Sequence, residues 1–417
     1  MSRLYNKNVM GALLGTVVEY YDYSLYGFCA AILAEKFFPA KDKIDSLMYV
    51  FAAYALSYCA KPFGAVFFSR IGDKYGRKMS LKITILGISI PTLLIGLLPE
   101  YSVLGTTSMT ILILCRFFQG FFAGGEYDGA AIYVIEHLGV ASKYTASGFT
   151  RATGVLGLLL GIAATNFFTS SIFPEWGWRI PFLLSMPMAL LTIYYRSFLE
   201  ETPIFIEHNY ESPEFSGIFK FIRSNWQILI LMIFLAGSFG ITYQVSIIFM
   251  KQYLPMVIPS AQQIISSFSV IIVLCFGVVM PIAGIIADRV GSMLVIASCT
   301  VGTLLSCVLF LLAIEYELLN LGLCAVLLIA IFIAPFNALA HGSIIHVFKT
   351  KERYRGIGIG HTIGSLLMSG TANYACLFMI KNYHFTLFPV FYIAVFTIFS
   401  YLILKLINNH LALGRKI

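Results

Sequence analysis

Long apolar runs separated by short polar loops dominate the chain, and twelve of them approach or exceed the roughly 20 residues that a membrane-spanning helix requires. They cover approximately 8–34, 47–69, 80–98, 108–135, 146–170 and 179–197, then 226–250, 264–287, 293–313, 318–347, 356–380 and 386–408. Several exceed one bilayer thickness and are expected to tilt or to project beyond it. Hydrophobic residues make up 59% of the chain and charged residues 12%, against about 25% charged in soluble domains. An all-α membrane protein of twelve transmembrane helices follows, as one bilayer-embedded unit rather than several soluble domains. The only long polar stretch, 198–225, carries Glu200, Glu201, Glu207, His208, Glu211, Glu214, Lys220 and Arg223. It divides the helices six and six, so the expected organisation is a bundle over 1–197, a central loop over 198–225 and a second bundle over 226–417.

One polar motif occurs twice. The first copy reads Ser69-x-x-x-Asp73-Lys74-x-Gly76-Arg77-Lys78 and the second Gly284-x-x-x-Asp288-Arg289-x-Gly291, with the aspartates 215 positions apart. Each copy reads as a charged turn between two apolar runs, one per half. Two similar halves with a substrate site between them are the usual plan of a secondary transporter.

The net charge of +8 does not point to nucleic acid, because the basic residues sit in short loops and form no continuous face. With both termini placed in the cytoplasm, 19 of the 28 lysines and arginines fall on that side and 6 on the other, which orients the chain. The eight cysteines lie within apolar runs without Cys-x-x-Cys spacing and read as small hydrophobes, not as disulfides or zinc ligands. The first run carries Glu19 and Asp22 with no cleavage site after it, so no cleavable signal is expected. No Walker loop, nucleophile elbow or zinc motif occurs, which argues against an enzyme.

The motif pair, the six-plus-six layout and the central loop resemble the major facilitator superfamily. The first half resembles its metabolite:proton symporter family at Gly15-Thr16-Val17-Val18-Glu19-Tyr20-Tyr21-Asp22-Tyr23 and Leu25-Tyr26-Gly27, at Gly72-Asp73-Lys74-Tyr75-Gly76-Arg77, and at Gln119-Gly120 with Gly124-Gly125-Glu126-Tyr127. Trp176-Gly177-Trp178-Arg179-Ile180-Pro181-Phe182 and Leu199-Glu200-Glu201-Thr202-Pro203 extend the likeness. Within that family the chain is most similar to proline/betaine transporters, at Gly125-Glu126-Tyr127-x-Gly129-Ala130, Thr242-Tyr243 and Tyr253-Leu254-Pro255. It departs from the pattern at Ser69, at Gly291-Ser292-Met293 where a basic pair is usual, at Lys61 where many relatives carry arginine, and at Asp128 and Arg151. It also ends at Ile417 without the long coiled coil of osmosensing members, which puts osmotic activation in doubt.

Glu19 and Asp22 are three residues apart and share a face of the first helix. A carboxylate at mid-membrane is costly and faces a bundle interior or a wet cavity, so these two, with Glu126, are the proton-coupling candidates. The alternative for Glu19 is neutralisation by a partner such as Lys61. Arg116, with Gln119 one turn on, can bind a substrate carboxylate through two hydrogen bonds or can pair statically with Glu19 or Glu126. Asp128 and Arg151, each about 11 residues from the turn near Gly139, are expected at one depth as a compensated pair. Tyr20, Tyr21, Tyr23, Tyr26, Tyr127, Tyr243 and Gln244 offer aromatic faces and polar groups for a quaternary ammonium or prolinium, or pack as ordinary membrane aromatics. His341, His346 and His361 lack metal-ligand spacing and read as polar packing, with His361 the one that can face the path. Gly154, Gly157 and Gly161 are spaced for close helix packing. The resemblance implies a conformational latch at Asp73, Lys74, Gly76, Arg77, Asp288 and Arg289, weaker in the second copy, which lacks the terminal basic pair.

The function expected is proton-coupled import of a proline/betaine-type zwitterion by alternating access, with the proton gradient as energy source and no cofactor or metal. The substrate ligands expected are Tyr26, Arg116, Gln119, Tyr127, Asp128, Arg151, Tyr243 and Gln244. Uptake of a di- or tricarboxylate or shikimate-like acid is the alternative, motivated by Arg116 and Arg151. A non-transporting, receptor-like relative is the second. The partners expected are a small-molecule substrate, protons and the bilayer, with no nucleic acid, in a functional monomer of the bacterial inner membrane with both termini cytoplasmic.

Overall fold

In the computed structural model of the protein, residues 7–75, 77–138, 143–198, 215–344, 347 and 350–412 are described, with side chains except at 7–12, 69–70, 72–77, 127–138, 215–219, 341, 350–355 and 410–412. The principal helices are α1 (Lys7–Phe28), α2 (Lys43–Tyr75), α3 (Arg77–Leu97), α4 (Thr106–Leu138), α5 (Lys143–Phe168) and α6 (Arg179–Ser197). In the second half, α7 runs over Phe215–Tyr243, Gln244–Phe249 and Met250–Val257, followed by α8 (Ile265–Val290), α9 (Ser292–Glu315) and α10 (Leu319–Ile344). The last two are α11 (Thr350–Gly364, Ser365–Ser369 and Ala372–Tyr383) and α12 (Phe388–Ala412).

Ten helices among the described residues are long and apolar enough to cross a membrane. The other two in the expected twelve, α1 and α6, carry polar groups that lower their hydropathy, among them Glu19, Asp22, Arg179 and Arg196. Both are packed into the bundle, α1 against α5 and α6, and α6 against α3. The outer surface carries large apolar side chains such as Leu190, Leu191, Val301 and Leu305, as a hydrocarbon solvent demands. The protein is a multi-pass membrane protein.

Local structure departs from the sequence reading in three places. The run over 8–34 breaks at Cys29, and Ala30–Phe37 continues as a separate short helix. Helix α7 begins at Phe215 and bends at Asn225 (φ −123°, ψ 20°), so part of the expected central loop is helical, while 199–214 lie outside the described residues. The motif copies are not turns throughout. Helix α2 runs through Asp73 to Tyr75, and α8 runs through Asp288 to Val290. The turn after α8 is Gly291 at φ +93°, a left-handed value that glycine adopts without steric cost.

The two halves meet along two seams. On one, α5 packs against α8 and α10; on the other, α2 packs against α11. Within the first half α1 and α5 approach closely, as the glycine spacing predicts. A Cβ on Gly157 would lie 2.0 Å from the Val17 carbonyl oxygen. Both α7 and α11 contain a π-helical segment, Gln244–Phe249 and Ser365–Ser369, a feature that recurs at functional sites. The face where α2 meets α3 and α8 meets α9 carries both motif copies; it is the motif face below, and the other is the distal face.

Candidate functional site

An open cleft lies between the halves. It begins at mid-depth beside Tyr243 and Ser369 and follows α10 to Ile344 in that helix's last turn, toward the motif face. Its first-half wall carries Glu19, Tyr20, Tyr23, Tyr58, Lys61 and Arg151, and its second-half wall Tyr243, Asn337, His361, Thr362, Ser365 and Ser369. Charge is concentrated on the first half, and neutral polar groups on the second. Apolar side chains, Phe239, Phe276 and Met280 among them, fill the gaps.

Glu19 and Asp22 share a helix but not an environment. Glu19 lines the cleft, whereas Asp22 is 1% exposed and turned away from it. Oδ2 of Asp22 accepts hydrogen bonds from Ser89 of α3 at 2.9 Å and Ser185 of α6 at 2.8 Å. The expectation of one shared face is thereby corrected. Three residues turn a helix by about 300°, and α1 is rotated so that this offset spans from the cleft to the α3–α6 packing. Arg151 of α5 lines the cleft and donates to the Tyr20 hydroxyl at 3.1 Å. Its expected partner Asp128 has a side chain outside the described residues, as does Tyr127.

Arg116, Gln119 and Tyr26 form a buried layer beyond the cleft wall. The Arg116 guanidinium lies 4.2 Å from the Tyr26 ring centre and 4.9 Å from that of Tyr54. It donates to Gln119 Oε1 at 2.6 Å and Ser57 Oγ at 3.4 Å, and Gln119 donates to Thr92 at 2.7 Å. The Tyr26 hydroxyl donates to the Val50 carbonyl at 3.1 Å. Neither Glu19 nor Glu126 pairs with Arg116; the ring faces and neutral oxygens take that part. Gln244, in the π segment of α7, donates to Tyr58 at 2.5 Å and Tyr54 at 3.2 Å in the other half. This bond links the halves at the closed end of the cleft.

Glu126 is not on the cleft wall. It is ion-paired with Arg196 of α6, with both side chains fully buried, and it accepts from Thr84 at 2.5 Å. Arg196 is held in the bundle interior, where Glu126 and the Leu81 carbonyl (2.6 Å) accept from its guanidinium.

Contacts between the halves differ at the two faces. Distally, Lys381 of α11 pairs with Asp45 of α2 and lies 3.7 Å from Asp42. Gln252 donates to the Gly27 carbonyl at 3.3 Å, Asn166 to that of Ser266 at 2.6 Å, and the rings of Phe51 and Phe249 touch with centroids 6.1 Å apart. On the motif face Asp288 crosses the α5–α8 seam. It accepts from the backbone N–H of Thr145 (2.9 Å) and Tyr144 (3.3 Å) and from the Thr145 hydroxyl (2.6 Å). The second motif copy thus caps the start of α5, while Arg289 beside it is exposed. In the first copy the side chains of Asp73, Lys74 and Arg77, and residue Gly76 altogether, lie outside the described residues.

The sequence reading did not single out Tyr58, Asn337, Ser365 or Ser369 for the cleft. Asn337 carried a usable signal, as a lone amide behind Pro335-Phe336 in a long apolar run. The two serines and Tyr58 carried none that separates them from packing residues. His361 does line the cleft, and His341 and His346 have side chains outside the described residues. Five cysteines are buried, and all eight are free.

A family model described as Major Facilitator Superfamily matches residues 12–372. The chain is 28% identical to the proline/betaine transporter of Salmonella typhimurium, over 94% of this chain and 81% of that protein. It is 29% identical to the glycine betaine/proline/ectoine/pipecolic acid transporter OusA of Dickeya dadantii, over 95% and 82%. Its fold is similar to that of the proton:xylose symporter XylE bound to 6-bromo-6-deoxy-D-glucose, with a TM-score of 0.76 at 15% identity over 95% of this chain and 94% of that one. The xylose transporter XylE from E. coli in a partially occluded inward open conformation gives 0.74 at 15% identity, over 95% and 97%. Sequence over most of the chain and fold over nearly all of it agree, and the protein belongs to the major facilitator superfamily as a membrane transporter.

Proposed function

We propose that the protein imports a small zwitterion of the proline/betaine type together with protons. One observation carries this reading: the cleft between the halves presents together a carboxylate (Glu19), a guanidinium (Arg151) and aromatic rings (Tyr20, Tyr23, Tyr58, Tyr243). A zwitterion needs a donor for its carboxylate and a ring face or carboxylate for its cation. The names of the relatives agree with that chemistry. Glu19, on the cleft wall, is the group best placed to load and release the coupled proton, with Asp22 behind it. The two seams, one closed by Asp45–Lys381 and one by Asp288–Thr145, are suited to alternating access. The excess of basic residues on the motif face makes that face cytoplasmic, with both termini, in a bacterial inner membrane. The working unit is a monomer of two bundles, 1–197 and 226–417, joined by 198–225, and it draws on the proton gradient without a bound cofactor.

A second reading, uptake of an organic acid, is favoured by the cationic groups Lys61 and Arg151, with His361, in the same cleft. Purified protein in liposomes with an inward proton gradient separates the two. Accumulation of labelled glycine betaine or proline, collapsed by a protonophore, is the expected result. Accumulation of a labelled dicarboxylate and of neither zwitterion would replace the first reading with the second. Absence of both uptake and counterflow for every solute would leave a receptor-like protein.

A further inference from the structure

Two hydrogen-bond donors on the second-half wall of the cleft are buried without an acceptor: the Tyr243 hydroxyl and the Asn337 side-chain Nδ2. Both residues line the cleft. Tyr243 closes the α-helical part of α7, at the step into its π segment. Asn337 follows Pro335 by two residues within α10. The rings of Phe239, one turn before Tyr243, and Phe336, beside Asn337, touch with centroids 6.1 Å apart, which fixes α7 against α10 at this level. The Tyr243 ring also packs on Phe276, with centroids 5.8 Å apart. Apolar contacts thus position the two residues, and neither donor is met. Thr362 on the same wall differs, because its hydroxyl donates to the Gly358 carbonyl at 2.7 Å. A buried donor without an acceptor costs its full desolvation penalty, and folded proteins keep few such groups. Two of them on one wall of a substrate cleft call for an acceptor that the cleft takes up.

We infer that Tyr243 and Asn337 form the subsite for the carboxylate end of the substrate. This rests on a solute that carries a carboxylate, which the zwitterion and organic-acid readings share. Both unmet groups are donors, and a carboxylate accepts at both of its oxygens. Among the described residues, no aspartate, glutamate, lysine or arginine of the second half lines the cleft. The second half therefore holds the anion with neutral donors already stripped of water, while Glu19, Lys61 and Arg151 stand on the first-half wall. A zwitterion seated by its carboxylate at Tyr243 and Asn337 reaches from one half to the other and ties the two together. A cation of the same size without a carboxylate leaves both donors unmet. A site built to hydrogen-bond a substrate group rejects the analogue that lacks it for this reason. Tyr243 and Asn337 are thus specificity residues, acting from the half that carries no charged group in the cleft.

The test measures binding of glycine betaine, proline and succinate to the purified protein by titration calorimetry, with choline as the trimethylammonium compound that has no carboxylate. Wild type should bind at least one of the three carboxylates more tightly than choline. Tyr243→Phe removes only the hydroxyl and should weaken that carboxylate at least about tenfold. Asn337→Leu removes the amide donor and should weaken it to a similar degree. Asn337→Asp puts an acceptor where the donor was and should weaken it further than Asn337→Leu. A packing role gives the opposite order, because aspartate is the closer match to asparagine in shape. Tyr243→Phe carries the test alone if the Asn337 variants do not yield monodisperse protein. Undiminished affinity in Tyr243→Phe or Asn337→Leu, or an Asn337→Asp protein that binds better than Asn337→Leu, overturns the subsite and leaves the transport reading in place. Wild type that binds choline as tightly as the carboxylates overturns the rule of selection. Wild type that binds none of the three carboxylates overturns the transport reading itself, and the subsite with it.

Discussion

Glu126 of α4 and Arg196 of α6, 70 positions apart in sequence, form an ion pair from which solvent is wholly excluded. Thr84 and the Leu81 carbonyl, both from α3, complete it, so the pair ties three helices of the first half together. Removing one member of a buried pair strands the other at a cost of about 3–5 kcal/mol. Glu126→Ala is expected to lower the thermal unfolding temperature and the yield of folded protein sharply. Glu126→Leu combined with Arg196→Met should recover much of the loss. A Glu126→Gln protein that unfolds at the wild-type temperature but has lost gradient-driven uptake would show that Glu126 carries the proton after all.

The α1–α5 contact gives a graded expectation. A Cβ at Gly157 would meet the Val17 backbone at 2.0 Å, whereas one at Gly154 would meet only the Tyr20 ring at 3.1 Å. Backbone cannot yield as a ring can. Gly157→Ala should destabilise by about 1–3 kcal/mol, as overpacking does, and Gly154→Ala by less. Thermal unfolding of the two variants side by side decides this, and equal effects would mean that the helices separate more easily than their packing indicates.

The unlike settings of Glu19 and Asp22 separate their roles. Glu19→Gln should abolish uphill accumulation while leaving counterflow of internal for external solute. Asp22→Asn disturbs the acceptor of Ser89 and Ser185, and should lower thermal stability as well as transport. Undiminished accumulation by Glu19→Gln would remove Glu19 from coupling. Loss of coupling in Asp22→Asn at wild-type stability would transfer the role to Asp22.

The seams are expected to respond in opposite directions. Asp288→Ala deletes the cap on α5, an interaction worth about 1 kcal/mol, and should shift the carrier toward states open at the motif face. Lys381→Met removes the partner of Asp45 and should shift it toward states open distally. Spin-label distances across each face would report both shifts. Turnover should change more than substrate affinity in Asp288→Ala, and a change confined to affinity would argue against a latch.

Length and the long apolar runs were enough to place this chain in a membrane as a bundle of helices, and the resemblance of its motifs to a transporter family pointed to a carrier. Those properties are local, because burying a backbone in hydrocarbon forces each apolar run to satisfy its own hydrogen bonds as a helix. The costly charged residues within the runs were visible for the same reason. Glu19, singled out as a proton-coupling candidate, and Arg151, singled out as a substrate candidate, both line the cleft.

The rotation and partnering of the helices lay beyond that reading. Whether Asp22 shares the fate of Glu19 depends on how α1 is turned against α3 and α6. Whether Glu126 faces a cleft or an arginine depends on α6, far along the chain. Tyr58 and Lys61 meet Tyr23 only because α1 brings that ring against α2. Spacing along one helix specifies which residues share a stripe, but the stripe's neighbour is chosen by the packing of all the helices at once.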